Sequence, residues 1–159
     1  MYESVPPKLY GGTERVVSYL TEELVSQGHA VTLFASGDSV TKSRLVPSTE
    51  CALRLNPSSI DTLAHHILML EQVFRRCEEF DVLHFHIDYL HFPLSRRLGC
   101  PTVTTLHGRL DFPDLVALYR EFRDMPVISI SNSQRKPLPD AKWMATVPHG
   151  LPARLYTFS

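Results

Sequence analysis

The chain has 159 residues, enough for one domain with an ordinary buried core. Apolar residues make up 43% and charged residues 21%, which excludes wholesale disorder. Lys and Arg number 16 against 17 Asp and Glu, a net charge of -1, so the concentrated basic stripe of a nucleic-acid binder is absent.

Cys51, Cys77 and Cys100 are an odd set without paired spacing. That predicts neither a CxxC site nor a disulfide framework, and a reducing, cytoplasmic setting. No apolar run approaches the ~18 residues of a membrane span, and MYESVPPKLYGG lacks a signal-peptide pattern. The reading is a soluble chain.

In chain order, TERVVSYLTEELVSQ predicts a helix over 13–27, with Val16, Val17, Leu20 and Leu24 on one stripe and Gly28 following as its stop. AVTLFAS then reads as a strand. Ser58-Ser59-Ile60-Asp61 carries a capping-box signal for a second helix. Its expected apolar face runs through Ile60, Leu63, Ala64, Ile67, Leu70, Phe74 and Cys77. The strand DVLHFH follows, then a helix near 89–98 that stops at Gly99, and the strand PTVTTLHG. A helix over 114–122, the strand PVISIS, a short helical turn near 132–136 and the strand WMATVPHG complete the chain. The pairs Arg75–Arg76 and Arg96–Arg97 fall late in predicted helices, where they complement the helix dipole.

Short strands alternating with amphipathic helices imply βαβ units: a Rossmann-like, three-layer α/β domain with a mostly parallel sheet. Such folds usually open on a central strand, whereas this chain opens on a polar loop leading into Gly11-Gly12. The expectation is therefore that a first strand of roughly six to eight residues is missing.

Ligands of parallel sheets collect at the carboxyl ends of the strands. Gly11-Gly12 precedes a helix N-terminus, where exposed backbone N–H groups favour an anion. His84 and His86, two apart at the end of DVLHFH, share a face; with Asp88 and His91 they could act as metal ligands, pack structurally, or face a substrate. His107 ends TVTTLHG, and His149-Gly150 repeats that arrangement after the last strand. An imidazole there can donate to a sugar hydroxyl or to developing negative charge. The chain contains no GxSxG, HExxH, Walker or GxGxxG motif.

Together PPKLYGGTERVVSYLTEELVSQGHAVTLFASGDS, DVLHFHIDYLHFP, PTVTTLHG, VISISNSQR and TVPHGLP resemble, in order, the N-terminal acceptor-side domain of two-Rossmann-domain, retaining family 4 glycosyltransferases. The resemblance implies transfer of a sugar from a nucleotide-sugar donor to an acceptor, with no cofactor and no obligatory metal. It puts Gly11 and Gly12 at the donor phosphate and His107 on the donor sugar. It also sets Glu14, His84, His86 and Asp88 along the acceptor cleft. The family's second domain, which holds the nucleotide, would follow the segment LPARLYTFS and is not in this sequence, so the isolated chain is expected to be inactive. A peripheral membrane or lipid-linked acceptor is compatible with the resemblance. Two other readings stay open. One is a non-catalytic binding or assembly module that pairs with a separate donor-domain chain. The other is a metal-dependent hydrolase built on the histidines.

Overall fold

The computed structural model describes residues 1–155; the end of LPARLYTFS, residues 156–159, lies outside the described residues. The chain is an α/β protein of Rossmann-like type, with parallel sheets and four α-helices among those residues. It divides into two compact units, Met1–Arg75 with the residues from Gly150 on, and Arg76–His149.

In the first unit, helix α1 spans Gly12–Ser26. Its end is a Schellman turn: Gly28 N–H donates to Val25 at 3.0 Å and His29 N–H to Leu24 at 3.1 Å. Gly28 has φ +90°, a conformation that side chains with a Cβ rarely adopt. The buried positions of α1 are Ser18 and Thr21, small residues beside the predicted stripe. From that stripe, Val17 packs against Val5, Leu33 and Ala35.

Strand β1 (Thr32–Ser36) pairs in parallel with β2 (Arg44–Thr49). The sequence predicts no strand at β2, which carries Pro47 within it. Proline lacks the N–H that a central strand must donate, but an edge strand tolerates it, and among the described residues β2 pairs with β1 alone.

Helix α2 spans Thr62–Phe74. Its cap is Asp61 itself, whose Oδ1 accepts from Leu63 N–H at 3.0 Å and Ala64 N–H at 3.1 Å. The predicted apolar face is corrected here. Met69, Leu70, Val73 and Phe74 are buried, while Ile60 is 95% and Leu63 54% exposed. Only the C-terminal half of α2 is covered, so the stripe that continues N-terminally through Ile67 stays open to solvent.

In the second unit, β3 (Leu83–Phe85), β4 (Thr102–Thr105), β5 (Pro126–Ser129) and β6 (Lys142–Thr146) form one sheet in chain order, every pair parallel. Helix α3 (Phe92–Leu98) begins beside Pro93 and ends on Gly99 at φ 68°. Helix α4 (Pro113–Glu121) begins on a proline, whose missing N–H costs nothing in a first turn. The core gathers Phe92, Leu106, Leu110, Tyr119, Met125, Val127 and Leu138. Phe92, wholly buried, meets Tyr119 edge to face with ring centroids 5.8 Å apart. Arg96 joins α3 to the end of α4 through Glu121 and Asp124, with its guanidinium over the Phe122 ring. The helical turn predicted near 132–136 is a run of non-helical turns.

The cysteine expectation is also corrected. Cys77 and Cys100 form a disulfide, with Cα atoms 6.2 Å apart, and Cys51 is free. Cys77 precedes β3 and Cys100 precedes β4; because these strands are parallel neighbours, both residues arrive at the same edge of the sheet. A separation of 23 residues carries no pairing signature of its own.

Candidate active site

Parallel pairing brings the carboxyl ends of β3, β4 and β6 to one edge of the second sheet. His86 follows β3 directly, while His107 and His149 lie a little beyond β4 and β6. The three rings make a continuous row. His86 Nδ1 hydrogen-bonds His107 Nε2 at 2.9 Å, and His107 Nδ1 hydrogen-bonds His149 Nε2 at 3.0 Å. His84 stands beside the row, its ring centroid 4.3 Å from that of His86, with Nε2 2.8 Å from Thr105 Oγ1. In the sequence His149 repeats the position of His107 after the last strand and, with it, could complete a metal-ligand set. Its junction with His107 depends on strand order, which local spacing does not encode.

A residue that the sequence reading passed over holds the middle of the row. Gln134 Nε2 donates to the carbonyl of Leu106 at 3.0 Å and to that of Gly108 at 2.9 Å, one on each side of His107. Its Oε1 accepts from Ile130 N–H at 2.9 Å, and its own N–H donates to Ser131 Oγ at 3.2 Å. One amide thus ties the loop after β4 to the loop after β5. The motif SNSQR contains Gln134, but nothing in the sequence announced the clamp.

Electrostatically His86 and His107 favour the neutral form. Burial, reinforced by the nearby His84, His107 and His149, pushes the His86 imidazole well below its ordinary value. Burial and then His149 and His84 push His107 down to about 4. Loss of solvent lowers His84 as well and raises the Asp88 carboxyl. Asp88 follows the row on the loop after β3 and adopts φ 53°, the left-handed region that non-glycine residues seldom enter. His86 Nε2 and His149 Nδ1 lie outside the row's two junctions, and a neutral row presents an N–H at one of them and a lone pair at the other.

His91 belongs to the core instead. It is fully buried and stacked on Phe85 at 3.7 Å, with Nδ1 2.7 Å from Ser95 Oγ and Nε2 2.7 Å from Thr104 Oγ1. Both ring nitrogens are satisfied by protein. Among the described residues no three His, Cys, Asp or Glu side chains converge as a metal ion requires. His107 turns different nitrogens to its two neighbours, a hydrogen-bonding row in place of a chelate.

Gly11, Gly12 and Glu14 lie in the first unit, at the start of α1. A Cβ on Gly11 would fall 2.8 Å from Pro7 Cβ and 2.9 Å from Glu14 Oε2, so the close approach requiring glycine is made within the protein itself. Glu14 thereby sets a carboxylate against the positive end of the helix. At Gly12 nothing stands within 4 Å of a Cβ position, and the first turn is open there.

Four parallel strands with polar side chains gathered at their carboxyl edge define a Rossmann-like sheet, the edge at which ligands of such folds collect. The Glycosyltransferase Family 4 pattern matches residues 10–146, and the chain belongs to that family. A comparison with curated proteins gives no match. Among the described residues no helix is long and apolar enough to cross a membrane.

Proposed function

We propose that the chain is the acceptor-side domain of a retaining glycosyltransferase that takes its sugar from a nucleotide-sugar donor. Membership of the family supports sugar transfer. The observation that carries the site assignment is His107, held at the carboxyl end of β4 between two imidazoles and clamped from behind by Gln134. A ring fixed in place and kept neutral, with both nitrogens held by neighbouring imidazoles, can lie against the donor sugar without rearranging as charge develops.

In this reading His84, His86 and Asp88 line the acceptor side. Gly11 and Gly12 present the helix N-terminus to the donor diphosphate, and a second domain supplies the nucleotide pocket. Glu14 must swing away from the helix end for a phosphate to settle there, since two anions would share one small positive site. The acceptor is an alcohol, free or lipid-linked.

The test is an assay of the complete protein against a panel of nucleotide sugars, with the anomeric configuration of the product read by NMR. The reading expects one preferred donor and retained configuration. An inverted product, or release of free sugar without an acceptor requirement, would contradict it. The alternative of a binding module predicts affinity for a sugar acceptor without turnover by any assembled form.

A further inference from the structure

A single contact to a donor sugar needs one imidazole, yet this edge of the sheet holds three in an unbroken row. Each junction joins nitrogen to nitrogen, and each ring is joined so that its two nitrogens face different directions. His149, at one end, is exposed, and its Nδ1 lies beyond the row. His86, at the other end, is half-buried, and its Nε2 has no hydrogen-bond partner among the described residues.

Neutral rings in such a row have only two consistent arrangements, because each junction needs one donor and one acceptor. In the first, His86 Nδ1–H donates to His107 Nε2 and His107 Nδ1–H donates to His149 Nε2, leaving a proton on His149 Nδ1 and a bare lone pair on His86 Nε2. In the second, every proton has moved to the opposite nitrogen of its junction, so that His149 Nδ1 is bare and His86 Nε2 carries a proton. Passing between them moves one net proton from one end to the other without charging any ring.

We propose that His86, His107 and His149 form a proton wire that accepts the proton of an acceptor hydroxyl at His86 Nε2 and releases one to solvent from His149 Nδ1. This role rests on the glycosyltransferase reading above. The acceptor O–H bond breaks as the His86 Nε2–H bond forms. The His86 Nδ1 proton passes to His107 Nε2, the His107 Nδ1 proton to His149 Nε2, and the His149 Nδ1 proton to water. The electron pair left on the acceptor oxygen forms the bond to the anomeric carbon, and the diphosphate departs with the pair of the bond that breaks. The row resets when His86 Nε2 gives its proton to water entering the vacated site and His149 Nδ1 regains one from solvent.

Burial supports a relay over a resting base. His86 and His107 both resist holding a positive charge, so a proton arriving at one end is best passed on as it arrives. The groups around His86 and His107 do not favour a charged ring. His84 from β3 repels a cation, Thr105 is engaged with His84, and the amide of Gln134 is uncharged and bound to backbone. Among the described residues no carboxylate hydrogen-bonds any of the three rings, so nothing pins a proton on one of them.

The decisive variant is His149→Gln. A glutamine keeps one hydrogen bond to His107 but cannot take a proton on one atom and lose it from another, and the exposed position leaves folding unaffected. Two measurements are needed. First, with 15N-labelled histidine, long-range 1H–15N spectra of the full chain read the tautomer of each ring. The wire predicts that His86 and His107 exchange together between two tautomers and that His149→Gln freezes both. Second, in the complete transferase, rates in H2O–D2O mixtures should curve downward through several protons in flight. In His149→Gln they should become linear, with kcat reduced roughly 100-fold and donor KM unchanged. Fixed tautomers in the unmodified chain, or a variant with full kcat, would overturn the wire alone. If the rings are coupled but no nucleotide sugar is ever turned over, the glycosyltransferase reading falls and the wire's role in transfer falls with it.

Discussion

Gln134 grips the peptide units on either side of His107, donating through one nitrogen to the carbonyls of Leu106 and Gly108 at 3.0 and 2.9 Å. The imidazole is therefore positioned by its backbone as well as by its two ring partners. Gln134→Glu tests the clamp with almost no change of shape, since a carboxylate cannot donate and would face two carbonyl oxygens. Loss of stability of about 1–3 kcal/mol is expected, as is typical when a hydrogen-bonded group loses its partner. Thermal unfolding checks it, and an unchanged midpoint would show that the loop holds its shape without the amide.

His91 sets the response of the second unit to acid. Its folded-state value lies at about 3, pushed there by burial, against an ordinary value of 6.5. As pH falls below the ordinary value, the unfolded chain takes up a proton that the folded chain refuses. The stability this ring contributes is thus complete above pH 6.5 and is lost progressively toward pH 3. Between pH 7.5 and pH 5 the loss from His91 alone comes to about 2 kcal/mol. His86 and His107, lowered in the same direction, add to it. Urea unfolding across that range should show a falling midpoint, and a His91→Gln variant should show a shallower fall. A wild-type midpoint independent of pH would contradict this account of His91.

Much of this architecture was legible in the sequence, because alternating apolar strands and striped helices leave a strong periodic record. Every predicted strand formed, and Gly28 and Gly99 ended helices as expected. β2 was not predicted; Pro47 within it is tolerated because β2 lies at a sheet edge. The face of α2 was misread because periodicity shows which residues share a side without showing how far along the helix a neighbour covers them. The histidines' places at strand ends already set His84, His86 and His107 at one carboxyl edge. That His86, His107 and His149 join into a row, and that Gln134 braces it, depends on strand order and loop paths, where residues far apart in sequence meet.

The disulfide between Cys77 and Cys100 closes a separation of 23 residues, and constraint of the unfolded chain over a loop of that length is worth about 3 kcal/mol. Replacing both cysteines by serine should lower the denaturant midpoint accordingly, and reductant should do the same to the unmodified chain while leaving the double variant unmoved. Coincident unfolding curves for all four samples would show that the bridge contributes nothing.

The central claim is that His107 acts on the donor sugar in a transfer reaction, and the most direct measurement is the turnover of the complete enzyme with His107→Ala. A contact strengthened in the transition state shows in kcat more than in substrate affinity, so a loss of roughly 100-fold in kcat is expected, with a small change in donor KM and far-UV spectra like those of wild type. Equal kcat in the variant and the wild-type enzyme would contradict the claim and return His107 to a structural residue at a strand end.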